Sequence, residues 1–199
     1  MSAKSNCIAI LCAVLMPLAA SGQRDVPIQS GDCRFITAAD LFDPKAPVFE
    51  AYPSAGREHI LNPKFDLISN PIAKRYRTVL RLEMAKGPNY DGHYRVAFWG
   101  CGASCAMFAV VNLKTGRVIT AQEFTTVLGT HLDADEFLPN TGSDGWGFRY
   151  KNDSSLLVVV GAPDEDESRE GAYYFALQAE RLRLIHTTRV SKNCQNAKP

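Results

Sequence analysis

The chain has 199 residues, 46% of them hydrophobic and 22% charged, and its 22 basic side chains stand against 21 acidic ones for a formal net charge of +1. That balance provides no field to draw in nucleic acid or an anionic membrane surface, so any partner is recognised by local surface rather than bulk charge. The length is that of a single domain with a sizeable core.

Residues 1–22 have the three parts of a secretory signal. Lys4 is the positive n-region, Cys7 to Leu15 the apolar centre, and Ala20-Ser21-Gly22 the small residues for cleavage. Pro17 breaks the apolar run before it reaches the length of a membrane span. The mature chain, 23–199, is therefore expected to be periplasmic or secreted, without integral membrane association. It reads as one α+β domain with a coil-rich N-terminal arm over 23–64, where prolines stand at 27, 44, 47, 53 and 63. Within the arm, Thr37-Ala38-Ala39-Asp40 resembles a weak capping box for one helical turn.

A helix is predicted next. Asn70 is a good N-cap, Pro71 suits the first helical position, and Gly87-Pro88 is the stop. Ile72, Tyr76, Val79 and Leu80 form its apolar stripe, with Lys74, Arg75, Arg77, Arg81 and Lys86 on the solvated face. From Tyr94 the pattern changes to strands: Tyr94–Trp99, then Ala106–Leu113, with Lys114-Thr115-Gly116 turning into Arg117-Val118-Ile119. Gly116 falls where a bulged hairpin needs a left-handed residue. Ser155–Gly161 is a continuous apolar run, as expected of a central strand buried on both faces. Ala172–Gln178 and Arg181–Thr187 make a last hairpin, although its alternation is noisy. The predicted fold is α+β and mainly β: a twisted antiparallel sheet of hairpins with one amphipathic helix packed on it.

Four cysteines remain after the leader, and four thiols allow three pairings. Cys101 and Cys105 enclose Gly102-Ala103-Ser104, a turn able to bring them within bridging distance. Cys33 and Cys194 lie near the two mature ends, which in domains are often close together. The expected bridges are thus 101–105 and 33–194. A redox pair would more commonly have two intervening residues and a helix N-terminus, and a zinc site would need two further ligands at suitable spacing. A thiol or Ser104 nucleophile would need a base, for which His93 is the local candidate.

The polar run Asn89, Asp91, His93 and Arg95 precedes this stapled turn, and Trp99 and Ser104 flank or sit in it. Asn89, His93, Arg95, Trp99 and Ser104 are the candidate binding residues; the plain alternative is a loop whose side chains cap backbone groups. His131-Leu132-Asp133-Ala134-Asp135-Glu136 lacks the spacing of a calcium loop, and Asp164–Glu167 looks like a solvated hairpin loop, so no metal site is assigned. No catalytic residue and no cofactor is assigned either.

Ser69–Thr78, the Gly87-Pro88-Asn89-x-x-Gly92-His93-Tyr94 run, Trp99-Gly100-Cys101-Gly102 with Cys105, and Asn112–Val118 together resemble a family of small exported bacterial proteins whose function is not established. The likeness extends to Ser154–Val159 and Tyr173–Phe175, with Tyr90, Asp91 and Asn112 standing where that family more often shows Phe, Ala and Asp. The resemblance implies export and a β-rich fold and transfers no activity. Two function classes are left. One is a non-catalytic protein-binding module of inhibitor or immunity type, with another protein as the expected partner. The other is a small periplasmic hydrolase using His93 with a nearby carboxylate, such as Asp91, Asp133 or Asp135.

Overall fold

A computed structural model describes residues 35–54, 56, 58, 60, 65–66, 68–129, 132–133 and 147–190. The expected leader, Cys33, Cys194, His131, Asp135 and Glu136 lie outside the described residues. The described part is an antiparallel sheet of eight strands with helix on its outer side. In chain order the helices are α1 (Pro71–Arg75) and α2 (Arg77–Ala85). The strands are β1 (Tyr94–Gly102), β2 (Cys105–Asn112), β3 (Val118–Ile119), β4 (Thr126–Leu128), β5 (Phe148–Tyr150), β6 (Leu156–Pro163), β7 (Gly171–Gln178) and β8 (Arg181–Arg189). The sheet runs β1-β2-β4-β6-β7-β8, with β3 on β2 and β5 on β6. Among the described residues no helix is long and apolar enough to cross a membrane.

The alternation along the strands sends one set of side chains to a common interior. Val96 and Phe98 of β1, Phe108 and Val110 of β2, Leu157 and Val159 of β6, and Phe175 and Leu177 of β7 share it. The rings of Phe98 and Phe148 stack at 5.2 Å although β1 and β5 are not paired, so the sheet curls over on itself. Outside the β1–β2 hairpin, Ala97 and Ala109 face each other across the register, and their small side chains admit Leu80, Met84 and Ala73 from the helices. Outside β6 and β7, Leu156, Val158, Val160 and Ala172 are covered by Ile36, Leu41, Phe49 and Tyr52 of the arm. Every residue of β6 is buried, which is the two-faced burial its unbroken apolar run requires. The arm is fixed by Ser54 N–H on Asp153 O (2.9 Å), Ser155 N–H on Tyr52 O (2.9 Å) and the His186 Nε2–Asp43 Oδ2 pair (2.7 Å).

Two elements differ from the sequence reading. The helix begins as expected, with Asn70 Oδ1 accepting from Ile72 N at 2.9 Å, but it breaks at Tyr76 (φ −108°, ψ 25°) into a five-residue and a nine-residue piece. The break falls where the Tyr76 ring reaches the sheet, 4.9 Å from Trp99. In the last hairpin a bulge shifts the register between Tyr174 and Phe175, so that Tyr174 faces His186 and Phe175 faces Leu184. Ile185 is the extra residue, which accounts for the noisy alternation of β8. Gly116 has φ +80° and donates to Asn112 O at 2.7 Å, closing the turn into β3 as its position demands.

Candidate functional site

The tip of the β1–β2 hairpin is the stapled turn. Cys101 and Cys105 are disulfide-bonded with their Cα atoms 5.2 Å apart. Gly100, Cys101, Gly102 and Ala103 are exposed, Ser104 is half-buried, and Cys105 is buried at the base. Ser104 has φ +53°, and its carbonyl accepts from Gly129 N at 2.8 Å. The tip is thus tied covalently across its own strands and by a main-chain bond to the chain beyond β4, while its upper residues face solvent.

Other candidate residues have internal work. Asn89 bonds the free edge of β1, its Oδ1 accepting from Val96 N at 2.8 Å and its Nδ2 donating to Val96 O at 3.2 Å. Arg95 is buried and joins β1 to the end of α2: Nε and Nη2 reach Glu83 Oε2 at 3.1 and 2.8 Å, and Nη1 reaches Gly87 O at 2.9 Å. Trp99 lies half-buried under the helix against Tyr76, its Nε1 buried and without a hydrogen bond among the described residues. Asn89 and Arg95 come together with Glu83, Phe98 and Asn152 along an open groove of about 650 Å³ beside β1; His93 and Ser104 do not line it.

His93 finds a carboxylate, though not one read from the sequence. Its Nδ1 lies 3.1 Å from Glu58 Oε1, and Glu58 Oε2 is 2.7 Å from Lys114 Nζ. The Lys114 hydrogen bond holds the Glu58 carboxyl below its ordinary range, with His93 adding to the effect. Asp91, two residues before His93, has φ +41°. Burial raises its carboxyl, against the Ser54 hydrogen bond and the nearby His93 that pull it down. Asp133 sits elsewhere, its N–H on Ile36 O at 2.9 Å. Glu58 is illegible in the sequence because it lies in the arm without periodicity; Glu83 stands on the predicted helix, but nothing in a helical repeat points to a strand residue twelve positions on. Among the described residues no cluster of His, Cys, Asp and Glu could hold a metal ion. No family model matches this chain, and neither a curated protein nor a solved structure does.

Proposed function

We propose that the protein is an exported, non-catalytic protein-binding module of inhibitor or immunity type, with the Gly100–Cys105 tip as its contact surface. The observation that carries this reading is the tip itself: four successive exposed residues, Gly100 to Ala103, leading into and over a turn whose ends, Cys101 and Cys105, a disulfide holds 5.2 Å apart. A turn fixed in this way has little conformational entropy left to lose on binding. Export is supported by the three-part leader and by the resemblance to small exported bacterial proteins. Ser104 and its exposed neighbours make the contact, whereas Asn89 and Arg95 bond the far end of β1 and Trp99 packs against Tyr76 of the helix.

The test uses the oxidised mature protein carrying a photo-crosslinking residue at Ala103 or, as control, at Arg77 on the exposed helix face. The expected result is one crosslinked partner from position 103, lost when Cys101→Ser and Cys105→Ser are introduced together. Equal crosslinking from both positions overturns the assignment of the tip. The His93–Glu58 pair favours a second reading, the small hydrolase. Turnover by the pure protein that disappears in His93→Ala would establish that reading and displace the first.

A further inference from the structure

Among the described residues β8 is bonded to β7 on one side only. Ala179 and Glu180 form a two-residue turn, with φ +47° and +56°, so Gln178 and Arg181 are the pair that exchanges main-chain bonds. Leu182 and Leu184, facing Leu177 and Phe175, therefore turn their N–H and C=O groups away from β7. Leu177 confirms the phase, since its own N–H points the opposite way, to Ser155 O at 2.9 Å. Among the described residues the outward groups of Leu182 and Leu184 meet no main-chain partner.

These groups border an open groove of about 600 Å³ whose far wall is the segment 117–123. Leu182 and Ile119 give it an apolar floor, and Arg117, Arg181 and Arg183 stand along it. Arg117 is held by Glu180 at 3.1 Å, and Asn112 donates to the other oxygen of Glu180 at 2.6 Å. Arg181 and Arg183 are exposed, two positions apart on the outer face of β8, with no ion pair among the described residues. Glu123 stands on the opposite wall.

We propose that this groove takes an extended acidic segment of another protein, added to β8 as a further strand. The unpartnered main-chain groups specify an extended backbone, and the period of two specifies its side chains: apolar toward Leu182 and Leu184, carboxylate toward Arg181 and Arg183. A second copy of the chain fits poorly, because edge-to-edge pairing at β8 would oppose these arginines to their own counterparts.

The probe is a fluorescein-labelled octapeptide alternating glutamate and valine, titrated by anisotropy with the oxidised mature protein. Binding is expected, with the lysine–valine counterpart markedly weaker. Arg181→Ser with Arg183→Ser should weaken it about fivefold with thermal unfolding unchanged, as for the loss of two solvent-exposed ion pairs. Of the two alternately N-methylated peptides, one should lose binding and the other keep it, because only one set of amides faces β8. The proposal is overturned if the acidic peptide does not bind at millimolar concentration, if the basic peptide binds equally, or if both N-methylated forms bind like the parent.

Discussion

Replacing Gly161 by alanine strikes the seam between the two halves of the sheet. Among the described strands β4 alone connects β2 to β6, and it meets β6 over just two residue pairs, Val127↔Pro163 and Leu128↔Ala162. Gly161 is the next residue of β6, with φ +139°, and a Cβ there would stand 2.4 Å from Leu128 O and 2.6 Å from Val127 Cγ2. Ordinary contact needs about 3.5 Å, so β4 would have to withdraw by roughly 1 Å. The unfavourable backbone conformation costs about 1–3 kcal/mol and the overpacking about 1–3 more, so Gly161→Ala should lose about 2–6 kcal/mol. Gly100→Ala is the matched control: its Cβ would meet nothing within 4 Å, and the change should stay within about 0.5 kcal/mol. Urea unfolding followed by circular dichroism measures both. A difference between the two variants below about 1 kcal/mol would refute the reasoning that the β4–β6 joint tolerates no side chain at position 161.

Leu80 is fully buried between α2 and the β1–β2 hairpin, so Leu80→Ala should cost about 2–5 kcal/mol in urea unfolding. Leu82→Ala on the same helix, 64% exposed, and Arg77→Ala on the basic face should each be nearly silent; equal effects would mean that the helix does not dock. For Asp91 the sign follows from a folded-state value raised above the ordinary 3.8: its favourable contribution is complete below that value and is lost as pH rises through the folded one. Asp91→Asn, in a residue type that tolerates φ +41°, should flatten stability just above pH 3.8 and leave the variant no less stable at pH 7; a pH-independent difference between variant and parent would contradict this. Non-reducing peptide mapping should find Cys33 linked to Cys194, and free thiols there would exclude that bridge.

Most of the fold can be read from local pattern, because burial and turn chemistry leave local marks. The eight buried residues of β6, the Asn70 cap and the Gly116 turn each follow from a few adjacent residues. The break at Tyr76 does not: it coincides with a contact to Trp99 across 23 positions of chain, outside any helical repeat. The bulge at Ile185 shows itself as noise in the alternation without revealing its origin. The site is legible as a place more than as a set of roles. Asn89, His93 and Arg95 do gather near the root of β1, yet their partners, the Val96 main chain, Glu58 and Glu83, are set by tertiary packing.

The two sheet edges are finished differently, and the difference bears on where partners could attach. An open edge is a template for another strand, and proteins commonly close or charge it. On β1 the chain closes the edge: Asn89 bonds both main-chain groups of Val96, and Tyr94 N–H is bound by Tyr90 O at 2.9 Å. Among the described residues that closure ends before Phe98 and Gly100, next to the stapled tip. On β8 the groups of Leu182 and Leu184 face a groove, and the adjoining Arg181 and Arg183 charge the edge without covering it. Paired arginines discourage a second copy of the same edge and attract an acidic strand, so one feature both guards against self-association and selects a partner. Among the described residues the unclosed lengths of main chain fall beside the tip proposed as a contact surface and along the groove proposed to take an acidic strand.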